Sequence, residues 1–200
     1  AVARRRLGSV TLSTVEAGAI ASLGETGAPG DCALIEPFLK SSRARVREAA
    51  LGAFARLGGS AAVDRVIPFL DDQFGSVRRA ASRILLGHHL DEDSRSAIRV
   101  ILDRGSEFGQ AQALRVLVHR KSWDAVPALV RGLLSSYATV EAKAWQHIQT
   151  WQRRYGVKGW IKPSPAVVAE LAELWPRVER IPFAVPHGVA PHWAQTQLRT

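Results

Sequence analysis

The stretch LIEPFLKSSRARVREAALGAFARLG, residues 34–58, decides the fold because a related stretch follows it. Residues 66–87 read VIPFLDDQFGSVRRAASRILLG, and matching residues lie 31 positions apart. The identical pairs are Pro37 and Pro68, Phe38 and Phe69, Leu39 and Leu70, Val46 and Val77, Arg47 and Arg78, Ala49 and Ala80, and Ala50 and Ala81. A fixed period of this length is typical of proteins that stack one small structural unit several times.

Two columns of identical residues carry the period further along the chain. One consists of Leu39, Leu70, Leu102 and Leu134, and the other of Ala50, Ala81, Ala113 and Ala144, with steps of 31 or 32 residues. A truncated earlier copy is marked by Leu7 and Glu16, which lie 32 residues before Leu39 and Glu48. The sequence therefore predicts about five units, the first of them incomplete.

Each unit has the pattern of a helical hairpin. Between Arg45 and Leu57 the apolar residues recur at helical spacing, which gives a helix one buried face. A shorter apolar helix is predicted before it, from Cys32 to Leu39, and a glycine pair at residues 58–59 suits the end of the second helix. Strict alternation of apolar and polar residues is missing, so the predicted fold class is all-α.

This pattern resembles the HEAT family, in the short form of bacterial HEAT-like repeats. The residues that carry the resemblance are Pro37, Phe38, Leu39, Val46, Arg47, Glu48, Ala49, Ala50, Leu57 and Gly58, with their counterparts Pro68, Phe69, Leu70, Val77, Arg78, Arg79, Ala80, Ala81, Leu86 and Gly87. The match covers roughly residues 7–155. It departs from the family pattern at Gly109 and Gln110, where Val and Arg are usual, and in extra residues between Pro127 and Val140.

The resemblance implies a right-handed α-solenoid of about five HEAT-like hairpins, whose second helices line a concave face that holds a protein or nucleic-acid ligand. It also implies that Arg47 and Arg78 tie neighbouring units together through an acidic or carbonyl partner. It implies no chemistry. We expect the repeat array to span residues 1–162, and residues 163–200 to form a capping helix, which Ser164 and Pro165 begin, and an extended Pro-rich tail.

The charge balance points to an acidic partner. The chain has 27 basic and 18 acidic residues, a formal net charge of +9, and 22 of the basic residues are arginines. We expect a protein with an acidic surface, with nucleic acid as the alternative. The single cysteine, Cys32, excludes an intrachain disulfide and a multi-cysteine metal site, and it fits a reducing, cytoplasmic compartment. No run of 18 apolar residues is present, so no membrane partner is expected.

Four arginines outside the repeat motif are candidate partner-binding residues. They are Arg43, Arg45, Arg79 and Arg83, predicted at or near the start of adjacent second helices. Stacked units would bring them into one basic ridge. Positive charge is mildly unfavourable at a helix N-terminus, so an acidic or phosphate-bearing partner would explain the ridge, and a solvated helix face is the plain alternative.

A second candidate surface lies in residues 121–163, which hold seven basic and two acidic residues. Its candidate partner-binding residues are Arg153, Arg154 and Lys158, interleaved with Trp145, Trp151, Tyr155 and Trp160. Such interleaving can stack bases and neutralise phosphates. Tryptophans also close the end of a repeat array by burying a large area, and this capping role is the favoured interpretation.

The sequence carries no pattern for catalysis, a cofactor or a metal. His88 and His89, which precede Asp91, lack the spacing of metal ligands. Helical-solenoid DNA glycosylases that remove alkylated bases resemble the chain in fold and charge only, because the nearest candidate acid, Asp124 after Trp123, is expected to cap a helix. No catalytic, cofactor-binding or metal-binding residue is predicted, and the chain is not expected to be an enzyme.

The leading functional prediction is a non-catalytic protein-interaction or scaffolding module that uses these arginines. The first alternative is a nucleic-acid-binding solenoid that combines the basic ridge with the Trp/Arg-rich last repeat. The second alternative is a regulatory arm of a larger enzyme whose catalytic domain precedes residue 1. The absence of methionine and the opening residues Ala1 and Val2 are those expected of a processed chain or a piece of a longer one.

Overall fold

The computed structural model describes residues 16–119, 123–155 and 163–178. In these ranges all regular secondary structure is helical, and no strand is assigned. The all-α prediction is therefore confirmed for this part of the chain. The contacts divide the chain after His119 into two compact units, each of which is described by itself. The predicted boundary between residues 162 and 163 stays a prediction.

The first unit contains α1 (Glu16–Thr26), α2 (Cys32–Ile35), α3 (Ala44–Gly58), α4 (Val63–Val66), α5 (Gly75–Leu86), α6 (Glu92–Arg104) and α7 (Glu107–Leu117). Short 3-10 helices connect or extend them at Pro29–Asp31, Glu36–Lys40, Gly59–Ala62 and Ile67–Asp71. The second unit contains a 3-10 helix at Trp123–Ala125, followed by α8 (Val126–Leu133), α9 (Ala138–Tyr155) and α10 (Pro165–Val178).

The repeated prolines explain why the predicted helix from Cys32 to Leu39 is broken into two pieces. Pro37 and Pro68 each stand in the first turn of a 3-10 helix that directly follows a four-residue α-helix. Proline has no N–H to donate, and its ring clashes with the carbonyl group four residues earlier. The α-helical pattern therefore stops before each proline and continues as a tighter turn.

The helix α3, which is the second helix of the repeat that contains Pro37, matches its prediction closely. Its expected apolar face is buried at Val46, Ala50, Ala53, Phe54 and Leu57, while Ala49 is only half-buried. The helix ends at Gly58, and the C-cap residue Gly59 has a φ of 53°, in the left-handed region that glycine adopts without steric cost. The glycine pair therefore ends α3 where the sequence predicts.

The residues of the repeat columns are buried in the structure. Within the first unit α1 packs on α3, α3 on α5, and α5 on α7, so the second helices of successive repeats are neighbours. The small column residues Ala50, Ala81 and Ala113 are fully buried, and Ala144 is fully buried in the second unit. Large side chains such as Leu51, Leu70 and Leu85 fill the core around them.

Arg47 links one repeat to the next through a buried ion pair. Its Nε and Nη2 donate hydrogen bonds to the two carboxylate oxygens of Asp72 at 2.9 and 2.8 Å, and its Nη1 donates to the Ser41 carbonyl oxygen at 2.5 Å. The guanidinium carbon also lies 5.3 Å from the centre of the Phe74 ring. The predicted linking role of Arg47 is confirmed, with an acidic partner.

Arg78 makes part of the same arrangement in the next repeat. Its Nη1 donates to the carbonyl oxygens of Asp72 and Gln73 at 2.6 and 3.1 Å, and its guanidinium lies 4.6 Å from the centre of the Phe108 ring of the following repeat. The same column is continued by Gln110, whose Nε2 donates to the Gly105 carbonyl oxygen at 3.0 Å. A neutral amide thus replaces the guanidinium where the sequence departs from the motif.

Asp71 explains the second departure from the motif, at Gly109. The Asp71 carboxylate accepts hydrogen bonds from the backbone N–H of Ser106, at 3.1 Å, and from the Ser106 hydroxyl group. A Cβ atom at residue 109 would lie 2.1 Å from Asp71 Oδ1. Only glycine therefore fits where the two preceding repeats have valine.

Asp91 is the N-cap residue of α6. Its Oδ1 accepts a hydrogen bond from the Ser94 backbone N–H at 2.8 Å. That hydrogen bond is the main cause that holds the pKa of the Asp91 carboxyl group below its usual value. The acidic residues after His89 therefore have a structural role at a helix start.

In the second unit α9 and α10 both pack on α8. The Trp123 and Trp151 rings meet edge to face with their centres 5.0 Å apart, and Trp151 is buried at 8% exposure. An ion pair between Arg131 Nε and Glu170 Oε1, at 3.0 Å, joins α8 to α10. The helix that begins at Pro165 therefore covers one side of α8.

We predict that Arg47→Met lowers the free energy of unfolding by about 3 kcal/mol, because it leaves the Asp72 carboxylate buried without its partner. The side chains of the pair are only 6% and 10% exposed. Urea denaturation followed by circular dichroism measures the change. The control is Arg79→Met, which removes an exposed arginine from α5 and should change the stability little. Equal losses in the two variants would contradict the linking role.

We predict that Ser82→Ala raises the free energy of unfolding by about 1 kcal/mol. Ser82 is fully buried in α5, and its hydroxyl oxygen has no hydrogen-bond partner in the described part of the chain. The matched control is Ser94→Ala, because the buried Ser94 hydroxyl group donates to Asp64 Oδ1 at 3.2 Å and its loss should destabilise the protein. The same urea denaturation compares the signs of the two changes.

Candidate functional site

An open groove of about 960 Å³ crosses α1, α3 and α5 in the first unit. Its floor is formed by the apolar lining residues: Ala17, Gly18 and Ala21 on α1, Ala49, Gly52 and Ala55 on α3, and Ala80 and Ile84 on α5. On α1 and α3 the floor therefore has only small residues, while α5 adds the larger Ile84 side chain.

The side chains around the floor are mostly charged. Arg45, Arg56 and Arg83 line the groove together with Glu48 and His88. On α3 the groove residues at positions 45, 48, 52 and 56 follow helical spacing and form one face, separate from the face that Val46 begins. One helix therefore serves the core with one face and the groove with another.

Arg45 and Arg83 have guanidinium groups that can bind an anion from another molecule. Arg45 and Arg83 are exposed, and neither makes a hydrogen bond or an ion pair with any described residue. Arg56 differs, because its Nε lies 3.2 Å from Glu25 Oε1. The groove therefore has a positive potential, which Arg45 and Arg83 supply from different helices.

The four arginines of the predicted ridge do not share one place. Arg43 stands at the N-cap of α3, with Nη1 4.0 Å from a Glu16 carboxylate oxygen. Arg83 lies in the last turn of α5 instead of near its start, and Arg79 is exposed on α5 but is not among the described residues that line the groove. The structure brings Arg45 and Arg83 to one groove, and partner binding by all four stays a prediction.

The second predicted surface is only partly within the described residues. Arg153 and Arg154 belong to the last turn of α9, but their side chains lie outside the described part, as does the whole of Lys158. Trp151 is described, and its ring is buried against Trp123. That ring packs in the core of the second unit, as the capping interpretation requires, and is not exposed for base stacking.

The sequence reasoning missed two features of the groove. Gly52 and Arg83 hold the same repeat position, 31 residues apart, and Arg115 follows 32 residues later on α7, where it is exposed. The period that predicted the fold could have shown this column of arginines. The small residues of the floor gave no such signal, because alanine and glycine are common throughout these helices.

Glycines at different positions of this unit have different reasons to be there. A Cβ atom at Gly24 would lie 2.6 Å from the Cα and Cβ atoms of Ala53, so α1 and α3 could not pack as they do. A Cβ atom at Gly52 would meet only the Arg56 guanidinium, at 3.8 Å, which is an ordinary contact. Gly24 is therefore required by the fold, and Gly52 is not.

The remaining groups give no sign of reaction chemistry in the described ranges. No three His, Cys, Asp or Glu side chains cluster there as metal ligands would. Burial, with a smaller effect of the Asp31 charge, raises the pKa of the Cys32 thiol, which disfavours the reactive thiolate. None of the helices described is long and apolar enough to cross a membrane.

Comparison with known proteins gives no relative: the chain matches no protein-family model and no curated protein. The groove is therefore interpreted from its own residues.

We predict opposite stability changes for the same substitution at two glycines. Gly52→Ala should raise the free energy of unfolding by about 0.5–1 kcal/mol, because alanine is the better residue in the middle of a helix. Gly24→Ala should lower it, because the added methyl group forces α1 away from Ala53. Thermal and urea denaturation of both variants check the pair, and a destabilised Gly52→Ala would show that the fold does need this glycine.

Proposed function

We propose that the chain is a non-catalytic binding module, a solenoid of about five HEAT-like hairpins whose groove holds an acidic segment of another protein. The repeat columns support the solenoid, because their alanines are fully buried and the second helices of successive repeats in the first unit pack on one another. The contacts of Arg47 and Arg78 support it as well, since each arginine reaches the following repeat. A stack of this kind presents an extended surface and has no need of a deep active site.

One observation carries the choice of partner. Arg45 and Arg83 project from neighbouring helices into one groove and have no partner among the described residues. Carboxylates from another molecule would form ion pairs with both arginines at the edge of the apolar floor. A groove of this composition can hold a polypeptide by burying its apolar side chains between the two cations.

Glu48 favours a protein over nucleic acid. It lies one helical turn from Arg45 and lines the same groove. A phosphate backbone is negative along its whole length, so a strand in this groove would place a phosphate against the Glu48 carboxylate. An acidic protein segment can present a neutral or basic residue at that point, which makes the mixed charge of the groove a reason for specificity.

The binding test uses fluorescence anisotropy and a short fluorescein-labelled peptide in which glutamate alternates with alanine, so that a neutral residue can face Glu48. We expect binding at low ionic strength that weakens as salt is added, since exposed charges are screened. The double variant Arg45→Ser/Arg83→Ser should lose about tenfold in affinity, from two contacts of at most about 1 kcal/mol each. The matched control Arg79→Ser/Arg104→Ser removes the same charge from exposed residues outside the groove lining and should lose much less.

Each other result would overturn part of this proposal. Equal losses in the two double variants would show that net charge, and not the groove, attracts the peptide. Tighter binding of a labelled DNA duplex that depends on Arg45 and Arg83 would favour the nucleic-acid alternative. Absence of any binding at low ionic strength would overturn the acidic partner altogether.

A further inference from the structure

Gly52 lowers the stability of α3, and nothing in the fold of this chain requires a glycine there. It stands in the middle of the 15-residue helix α3, where glycine is less stable than alanine by about 0.5–1 kcal/mol. Its backbone does not need glycine either, because the only positive φ among the described residues belongs to Gly59. A Cβ atom there would meet only the Arg56 guanidinium, at 3.8 Å, and Gly52 lines the groove, so the space above it is open to a residue of another molecule.

The floor around Gly52 extends the same opening. Gly18 on α1 has no described atom within 4 Å of the place where a Cβ atom would be, and alanines on α3 and α5, with Ile84, complete the floor. Helices normally pack with their axes about 8–10 Å apart, and small residues at the contact permit the lower end of that range. The floor therefore permits close approach of another backbone.

The chemistry of the floor selects the form of that backbone. An extended peptide would need hydrogen bonds for its N–H and C=O groups, but the floor is made of helices that use their own backbone groups internally and of residues without polar side chains. Each unpaired buried group would cost about 1–3 kcal/mol. A helix satisfies its backbone internally and loses nothing when it lies on such a floor.

The positions of the arginines set the spacing of the acids. Arg45 lies seven residues before Gly52 on α3, which is about 10 Å along the helix. Arg83 holds the repeat position of Gly52 on the neighbouring helix α5, about 8–10 Å to the side. The two Cα atoms are then about 14 Å apart, and their long side chains can reach carboxylates about 10 Å apart, which is two turns of one helix.

We propose that the groove holds an α-helix of the partner protein, with small residues against Gly52 and Gly18 and two acidic residues seven positions apart at Arg45 and Arg83. This inference rests on the proposed function, and it specifies the shape and the sequence pattern of the acidic segment. A helix that binds in a groove contacts it with residues of one face. Residues seven positions apart are two turns apart and lie on the same face, so both acidic residues can face the groove.

The test compares three labelled peptides by fluorescence anisotropy. The first is an alanine-based helix with glutamates seven residues apart on one face. The second has the same composition with the glutamates on opposite faces, and the third is the first peptide with proline in place of two central alanines. We expect the first peptide to bind about tenfold more tightly than the other two, because only it offers both acids on a preorganised helix.

The groove variants test the role of the glycine. Gly52→Leu should reduce binding of the first peptide at least tenfold and leave binding of the alternating Glu/Ala peptide about unchanged, because the leucine fills the floor and spares both arginines. Gly52→Ala should weaken the first peptide less while it stabilises the fold. Gly30→Leu is the matched control, since a Cβ at Gly30 meets no described atom and the residue lies outside the groove lining.

The outcomes separate this inference from the proposed function. If all acidic peptides bind equally and all depend on Arg45 and Arg83, the acidic partner stands and the helix is overturned. If Gly30→Leu weakens the first peptide as much as Gly52→Leu does, the close approach at Gly52 is overturned. If no acidic peptide binds, the proposed function fails together with the helix.

Discussion

The Arg47–Asp72 ion pair is the interaction on which the rest of the first unit depends. Asp72 accepts two hydrogen bonds from Arg47 of the preceding repeat, and its Oδ1 also accepts from the Phe74 backbone N–H at the start of α5, at 2.8 Å. One carboxylate therefore fixes the start of α5 and its position relative to α3. The rotation of α5 follows from that, and with it the direction of Arg83 toward the groove.

The periodic part of the fold could be predicted from the sequence, and its interruptions could not. Spacing alone placed α3 and its buried face correctly, because a 3.6-residue period and a glycine pair are local signals. The two adjacent acids after Leu70 show the limit. Asp72 turns to Arg47 and Asp71 turns to Ser106, in opposite directions along the chain. Which neighbour each one meets depends on three-dimensional positions that no spacing in the sequence records.

The candidate site could likewise be predicted from the sequence only in part. The excess of arginine indicated an acidic partner, and four arginines were selected because the repeat motif did not require them. Only their placement on folded helices separates Arg45 and Arg83, which meet in one groove, from Arg43 and Arg79, which do not line it. Gly24 and Gly52 look equivalent as residues within helices, and they differ because a Cβ atom would clash with Ala53 at Gly24 and would only touch the Arg56 guanidinium at Gly52.

Part of the positive charge of the described residues is engaged in ion pairs within the structure. Arg47 and Arg45 are only two residues apart, yet about 200° of helical rotation sends the first into the core and leaves the second in the groove. Arg56 and Arg131 are likewise held in ion pairs. Two exposed guanidinium groups provide modest attraction that salt screens. In the proposed complex the shape of the floor therefore adds to the selectivity that the mixed charge of the groove provides, and the arginines orient the bound segment.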